Sequence, residues 1–380
     1  MRIFVLDITS RNASQYNPQL CNKLAEYAPL GSEVTLLANS LTTKVKLFKF
    51  VKLLDLVPHK FNTSKSKIKK TVRFIEVCLN YVFLLLYCTI KKPDILHIQW
   101  LILIEVCCAE KIILGVLKFL SPKTKVYLTI HNIYPHDLSI SKRKSYRDKF
   151  LKISSNVDGF LVHLNSAKEE AINSLHLPKE KIFVAYHGIY IRNSNSVSSR
   201  TSTDKFKIIM YGIQNRYKGT DILLEAIKLL PPIYFDKIML HIVGKTDPSI
   251  FKQYQDMIDN VHIKWENSYV SNEFLDESIN NSDLIVLPYR KISQSGVLLL
   301  ALSCNKPILT SNLPSFIETL DGYKKEWFFE TESAGSLCEK IIQYIDGAIE
   351  IEEQLSIVNS LVVKYSWDNT AKATLTAYKC

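Results

Sequence analysis

The sequence lacks the signature motifs of several large enzyme classes. No Gly-x-Gly-x-x-Gly follows the first predicted strand, which argues against a nicotinamide enzyme, and no Gly-x4-Gly-Lys-Ser/Thr is present, which excludes a P-loop kinase. The eight cysteines show neither metal-ligand nor redox spacing. We therefore expect reduced, mostly buried thiols of a cytosolic protein, and no Cys/His metal site.

Long hydrophobic runs are also scarce. The most apolar stretch, Leu79–Ile90, is much shorter than the roughly 20 apolar residues that a bilayer-spanning helix needs. It predicts a buried helix that leads into the strand DILHIQW. The opening MRIFVLDI predicts a strand and no signal peptide, because an acidic residue lies within it.

Positive charge is concentrated in the first half of the chain. Residues 1–195 hold 29 basic and 14 acidic residues, whereas the remainder holds 19 and 23. Within Thr42–Arg73, ten basic residues and one acid, Asp55, are interleaved with large apolar side chains. Such a stretch favours an anionic membrane surface, and the alternative is a solvated basic helix with an ordinary core face. Nucleic acid is not expected as a partner, because no nucleic-acid-binding motif is present.

Short apolar strands alternate with helices along the chain, which predicts parallel sheets covered on both faces. Residues 192–204, RNSNSVSSRTSTD, are nearly devoid of large apolar side chains and are the best linker candidate. We therefore predict an α/β protein with two doubly wound domains, 1–195 and 205–365. Ligands should bind in the cleft between them, at the carboxyl ends of the strands. A final helix, 366–380, is expected to start with Ser366 as its N-cap.

The segment Asn281–Pro314 is the most informative part of the chain. It predicts a strand (LIVLPY), a polar turn (RKISQSG), a helix and a second strand. Small residues at the helix start let backbone N–H groups approach an anion closely, which suits a diphosphate. Arg290, at the end of the first strand, is a candidate phosphate partner. The candidates for binding the phosphates or the attached sugar in the turn are Gln294, Ser295, Gly296 and Val297.

A second strand–helix junction carries positive charge. The strand KIIMYG ends at Gly212, and Arg216 and Lys218 precede a helix that begins near Thr220. Cations beside the free N–H groups of a helix start can clamp a diphosphate. The alternative is a surface loop with two unrelated cations.

These two segments resemble the nucleotide-sugar site of family-4 glycosyltransferases. Lys218 and the glycine after it fit the family pattern, whereas Arg216 is displaced by one residue from the position where related sequences carry arginine. The family's Glu-x7-Glu pair falls on Ile292 and Leu300, so both carboxylates are absent. Glu318 is the nearest carboxylate and the candidate for contacting the ribose of the donor.

A third segment, TIHNIYPHD, follows a predicted strand of the first domain. In enzymes that resemble this chain, a histidine here contacts the donor sugar near the reacting carbon. The resemblance thus implies that His131 donates hydrogen bonds and steadies positive charge. It places Asn132 and His136 on the acceptor side. Asp137 either orients His136 or acts as the base for the acceptor hydroxyl.

The resemblance implies a GT-B hexosyltransferase, with two Rossmann-like domains facing across a cleft and the final helix packed back on the first domain. It would move a sugar from a nucleotide-diphosphate donor to a glycan or lipid-linked acceptor, with retention, in envelope polysaccharide synthesis. No Asp-x-Asp triplet occurs in a suitable context, so we expect neither a metal nor a cofactor besides the nucleotide sugar. The basic first domain suggests a cytoplasmic enzyme, peripheral at the inner face of the cell membrane.

The missing acids leave alternatives open. One is a catalytically inactive GT-B protein that binds nucleotides. Another is a GT-B epimerase or phosphorylase, although no signature of a pyridoxal-phosphate lysine is visible.

Overall fold

The structure is a computed structural model that describes residues 1–9, 16–41, 46–56, 67–104, 106–135, 138–190, 205–259 and 261–379, with the backbone alone for 67–70. The chain divides into two compact units. Unit 1 consists of Met1–Gly188 and Tyr365–Cys380, and unit 2 of Ile189–Lys364. The predicted linker, residues 192–204, lies outside the described residues, as do 42–45 and 57–66 of the basic stretch before Arg73.

Strands and helices alternate through most of the chain, as the sequence predicts. The strands are β1 Arg2–Asp7, β2 Glu33–Ala38, β3 Lys49–Lys52, β4 Ile95–Ile98, β5 Lys125–Thr129, β6 Gly159–Val162, β7 Ile182–Val184, β8 Phe206–Tyr211, β9 Ile238–Val243, β10 Ile263–Glu266, β11 Leu284–Leu287 and β12 Ile308–Thr310. The helices are α1 Tyr16–Tyr27, α2 Lys67–Lys91, α3 Ala109–Leu120, α4 Ile140–Ser154, α5 Asn165–Leu175, α6 Thr220–Lys228, α7 Pro232–Phe235, α8 Pro248–Tyr254, α9 Asn272–Asn280, α10 Gly296–Leu302, α11 Pro314–Thr319, α12 Ala334–Ile345, α13 Ile351–Lys364 and α14 Trp367–Ala377. The exceptions to the alternation are β3, an unpredicted strand that is the next described element after β2, and runs of consecutive helices such as α12 to α14.

Each unit is built on one parallel sheet. The order in unit 1 is β3-β2-β1-β4-β5-β6-β7, and the order in unit 2 is β10-β9-β8-β11-β12. Strands β4, β6 and β11 are buried along their whole length, as expected for strands covered by helices on both faces. The fold class is thus confirmed as α/β with two Rossmann-like units.

The last helix, α14, belongs to unit 1. Ser366 caps it by accepting a hydrogen bond from the backbone N–H of Asn369 at 3.3 Å. The hydroxyl of Thr370 donates to the carbonyl of Tyr186 at 2.6 Å. Lys23 on α1 pairs with Asp368 at 2.7 Å. The two ends of the chain therefore complete the same unit.

Helix α2 differs from the expectation of a short buried helix. It extends over 25 residues, and only one of its faces is buried. The stretch Thr71–Lys91 is long and apolar enough to cross a membrane by length and composition alone, although core helices of soluble proteins pass the same test. Its exposed apolar side chains follow a helical spacing: Ile75, Leu79, Val82, Leu86 and Ile90. The prediction from the run Leu79–Ile90 underestimated the length of this helix, because its apolar residues begin earlier and are interspersed with polar ones.

Candidate functional site

In unit 2, the turn after β8 depends on glycine. Arg216–Lys218 form one turn of 3₁₀ helix, and Gly219 follows with φ +73° before α6 begins. A Cβ on Gly219 would lie 1.8 Å from the carbonyl oxygen of Pro288. Only glycine both adopts this left-handed conformation freely and tolerates the contact. The glycine of the Lys-Gly pair therefore allows this turn to pack against Pro288, directly after β11.

The side chain of Lys218 is buried beside that turn, with 6% exposed. Burial lowers its pKa to about 8. Its Nζ atom lies 5.4 Å from the ring centroid of Tyr289, a favourable cation–π distance. Among the residues that the structure describes, no carboxylate forms an ion pair with Lys218. A buried ammonium group in this state is strongly stabilised by an incoming anion.

Lys218 converges with the start of α10. A Cβ on Gly212 would lie 3.1 Å from Lys218 Nζ and 3.3 Å from Val297 Cγ2, so all three residues meet at one point. The hydroxyl of Ser295 accepts a hydrogen bond from the backbone N–H of Leu298 at 3.2 Å, which starts the helix. First-turn amides have no partner within their own helix. Val297 belongs to this first turn, and its side chain lies at the point where Lys218 Nζ also lies.

Arg290 has a different environment from the one predicted. Its guanidinium donates two hydrogen bonds to Asp221, at 2.7 and 2.8 Å, and one to Glu332 at 3.0 Å. It also donates to the carbonyl of Arg216 at 2.7 Å. Arg290 thus holds the 3₁₀ turn in place, and its role as a phosphate ligand stays a prediction. The side chain of Arg216 is exposed.

The remaining predicted donor residues lie on and beside the turn before α10. Gln294 and Ile292 are half-buried in that turn. The hydroxyl of Ser315, at the start of α11, donates to the carbonyl of Ile292 at 2.8 Å. Glu318 lies on α11, one turn further, and is half-buried. The structure therefore brings α11 against the turn, while the contact of Glu318 with a ribose stays a prediction.

In unit 1, four histidines meet at the carboxyl ends of neighbouring strands. His97 lies in β4, and His131, His163 and His187 follow β5, β6 and β7. Because these strands are adjacent in the sheet, their ends bring the rings together. The rings of His131 and His163 are 5.0 Å apart, and those of His163 and His187 are 5.3 Å apart. Tyr16 and Trp367 pack against the ring of His187.

Hydrogen bonds join these rings into a chain with a defined direction. The Nδ1–H group of His163 donates to the carbonyl of Ala185 at 3.0 Å, which leaves its Nε2 to accept from Nδ1–H of His131 at 3.1 Å. In the structure the amide oxygen of Gln99 lies 3.2 Å from Nε2 of His131, and its amide nitrogen lies 3.3 Å from Nε2 of His97. In that orientation one imidazole must carry a second proton. A wholly neutral chain requires the amide to be turned over, so that its nitrogen faces His131. Burial disfavours a charged ring, so the turned-over amide is the consistent assignment.

The far end of the chain comes from α14 and its last residues. The hydroxyl of Tyr378 donates to Nδ1 of His97 at 2.6 Å, and Nε2 of His97 lies 2.6 Å from the hydroxyl of Thr129. Burial lowers the pKa of His97 and of His187 to about 3, and that of His163 to about 4. Burial and the neighbouring rings hold the pKa of His131 well below its ordinary value. His131 is therefore a neutral, oriented imidazole at neutral pH.

A pocket of about 560 Å³ adjoins His131; we call it the α4 pocket. Trp100 stacks on the His131 ring at 4.5 Å. The polar part of the lining consists of Gln99, Trp100, Thr129, His131, Asn132, Ser139 and Lys142. The apolar part includes Leu101, Ile104, Leu128, Ile130, Tyr146 and Phe150. The predicted acceptor residue Asn132 thus lines a real cavity, whereas His136 and Asp137 lie outside the described residues.

No metal centre accompanies these sites in the described part of the chain. Among those residues, no three His, Cys, Asp or Glu side chains are placed to hold a metal ion. The seven described cysteines are free thiols.

Residues 192–357 match the family model described as glycosyl transferases group 1. The match covers less than half of the chain and takes in most of unit 2. Sequence comparison also finds a GDP-mannose:glycolipid 4-beta-D-mannosyltransferase of Xanthomonas campestris pv. campestris, 23% identical over 254 residues. That match covers 63% of this chain and 67% of the relative.

Solved structures of other proteins resemble this chain over nearly its whole length. A glycosyltransferase from Rickettsia africae ESF-5 superposes with a TM-score of 0.69 at 15% identity, covering 100% of this chain and 97% of that one. Anabaena Alr3699/HepE in complex with UDP and glucose gives a TM-score of 0.68 at 12% identity, covering 99% and 98%. At these identities the likeness establishes the GT-B fold alone.

The matched segment, residues 192–357, includes Lys218 and the start of α10, whereas the four histidines precede it in sequence. Sequence reasoning missed three residues that support these sites. Asp221 binds Arg290, Gln99 links two histidines, and Tyr378 closes the chain. Of these three, only Gln99 could have been identified from the sequence, because it directly follows a strand. The other two act through partners 69 and 281 residues away in sequence.

Proposed function

We propose that the protein is a metal-independent hexosyltransferase that transfers a sugar from a nucleotide-diphosphate donor to a glycan or lipid-linked acceptor. The observation that carries this proposal is Lys218, a buried ammonium without a carboxylate partner among the described residues. Lys218 lies beside Gly212 and beside Val297 in the first turn of α10. A diphosphate bound there would be paired with the Lys218 ammonium group and would accept hydrogen bonds from backbone N–H groups. Lys218 would stabilise the leaving diphosphate in place of a divalent metal.

His131 is the proposed sugar contact. Both nitrogens of the neutral ring are already hydrogen-bonded, so a hydroxyl group of the donor sugar or the acceptor would replace Gln99 at Nε2 and donate to it. The charge state of the ring does not change near neutral pH. The α4 pocket beside it would receive the acceptor, with Asn132 as a polar contact. His136 remains a proposed acceptor residue and Asp137 a proposed base.

We propose retention at the anomeric carbon, following the resemblance to family-4 enzymes. The Xanthomonas relative is named as forming a beta-mannosyl product, so the opposite outcome is also tested. Inversion requires a base beside the acceptor hydroxyl, and Asp137 would fill that role. The anomeric configuration of the product, measured by NMR, distinguishes the two.

We further propose a cytoplasmic enzyme of envelope polysaccharide synthesis, bound peripherally to the inner face of the cell membrane. The exposed apolar stripe of α2, together with Ile112, Val116 and Phe119 on α3, supports this. Such faces on a basic domain bind anionic bilayers. Leu86→Glu should reduce flotation with phosphatidylglycerol vesicles, and Leu229→Glu, on an exposed position of unit 2, should not. A wild-type protein that stays soluble with such vesicles at low salt would contradict the membrane proposal.

The rival is an inactive nucleotide-binding GT-B protein, which the absence of the Glu-x7-Glu pair favours. A thermal-shift panel with GDP-mannose, UDP-glucose and ADP-glucose tests both. GDP-mannose is the first candidate because of the name of the Xanthomonas relative. At a hundredfold excess over Kd, a donor adds about 2.7 kcal/mol of stability. Binding without release of nucleotide, with or without acceptor membranes, would support the rival; no binding to any sugar nucleotide would reject both. Activity retained in EDTA is the expected result for a metal-independent enzyme.

A further inference from the structure

The α4 pocket combines two surfaces of different chemistry. One part, at Gln99, Thr129 and His131, carries hydrogen-bonding groups. Another part is formed by Ile104, Leu128 and Phe150, which are buried and carry no polar side-chain atoms. Sugar hydroxyls placed against such a wall would lose their hydrogen bonds to water without replacement, which is costly. That part of the pocket therefore fits an apolar group.

Positive charge lies at the exposed rim of the same pocket. Lys142 lines it from the first turn of α4, and its ammonium group has no recorded hydrogen bond or ion pair within the described part of the chain. Helix α4 is strongly basic, with six cations against the single acid Asp148: Lys142, Arg143, Lys144, Arg147, Lys149 and Lys152. The rim thus complements an anion that is attached to the apolar group.

We propose that the α4 pocket binds the first part of an apolar chain of a lipid phosphate, with the phosphate at Lys142. The volume of about 560 Å³ lies within the range of small-molecule pockets. This inference rests on the proposed transferase function and narrows its acceptor class. A lipid-linked sugar bound in this way would have its phosphate-proximal sugar beside His131, where transfer takes place.

Farnesyl phosphate is the probe, and binding is measured by calorimetry below its micelle concentration on the full chain. Saturable binding with a negative heat-capacity change is expected, because apolar surface becomes buried. Farnesol should bind at least fivefold more weakly than farnesyl phosphate, and inorganic phosphate should not bind detectably. Lys142→Ala should remove the difference between farnesyl phosphate and farnesol.

Two substitutions test the location. Leu138 is half-buried and lines the pocket, so Leu138→Trp should weaken binding at least tenfold. Ile140 is two residues away, 81% exposed and not part of the lining, so Ile140→Trp should change binding less than twofold. If Leu138→Trp does not fold, Leu101→Trp fills the same pocket from another loop.

Equal affinities of Leu138→Trp and wild type, or equal affinities for farnesyl phosphate and inorganic phosphate, would overturn the proposal. Affinity for GDP is measured on the same samples, because the Lys218 site lies in the other unit. GDP binding without farnesyl phosphate binding would reject the lipid pocket alone. Absence of binding of GDP, UDP and ADP alike, measured in the same way, would instead count against the proposed transferase.

Discussion

Lys218→Met should stabilise the ligand-free protein while abolishing its response to a diphosphate. The fall of the Lys218 pKa from 10.5 to about 8 measures what burial of the charge costs the fold. At about 1.4 kcal/mol per pH unit, the cost is roughly 3 kcal/mol. Methionine keeps an apolar stem of similar length without the charge, so this cost disappears in the variant.

The pH dependence gives an independent check of the sign. At pH 7, Lys218 is protonated in both the folded and the unfolded chain, so the full cost is present. Between pH 8 and 10.5 the folded protein has released this proton and the unfolded chain still binds it, so stability rises with pH. The rise attributable to this residue should be absent from Lys218→Met.

The assay is thermal unfolding of the full chain, with and without GDP. The unfolding transition of unit 2 should move up by roughly 5–10 °C in Lys218→Met without ligand. GDP should then shift the wild type only. Lys228→Met is the matched control, since Lys228 is exposed on α6 and pairs with Glu225; its effect should stay within about 0.5 kcal/mol. A Lys218→Met variant that is less stable than wild type without ligand, or that keeps its response to GDP, would refute the reasoning.

Three further predictions concern supporting residues. Below pH 6.5 the histidines of the unfolded chain bind protons, whereas the buried rings of His97, His163 and His187 stay neutral. The free energy of unfolding of unit 1 should therefore fall by about 2 kcal/mol per ring by pH 5. The check is the unfolding midpoint of wild type and of His163→Gln, measured across this pH range. The midpoint of the variant should fall less steeply with decreasing pH, and equal slopes would contradict the prediction. Gly219→Ala should lower the free energy of unfolding by at least about 2 kcal/mol, because of backbone strain and the clash with Pro288. Urea denaturation measures this loss, and an unchanged stability would contradict the turn geometry. Arg290→Lys should lose the paired bonds to Asp221 and weaken GDP binding several-fold in calorimetry, whereas unchanged affinity would show that the turn does not depend on them.

The alternation of apolar strands and helices was enough to predict the fold, because period and length of each segment are local properties. The position of Lys218 at the strand–helix junction could be read from the sequence, since it stands beside a glycine there, and its role in donor binding stays a prediction. Its burial was not readable, because this depends on Tyr289 and α10, which follow some 70 residues later. The same holds for Arg290, whose partner Asp221 is 69 residues away.

The histidines show where the sequence falls short. Each one lies in or directly after a predicted strand, and each alone is more often structural than functional. What makes them a connected chain is the order of β4 to β7 in the sheet, which the sequence does not state. Helix α2 shows a different limit. Its exposed face is apolar, whereas its buried face includes Glu76 and Asn80, so hydrophobicity does not tell which side packs on the core.

The bond between Tyr378 and His97 has a consequence for the order in which the protein forms during synthesis. The two residues are 281 positions apart, and all of unit 2 is encoded between them. At about 5–20 residues per second, His97 waits roughly 15–60 seconds for its partner to be made. Unit 2 is complete before the last helix of unit 1 exists. The first half of the chain therefore leaves the ribosome with its histidine cluster open, and the cluster can close only after Tyr378 has been synthesised.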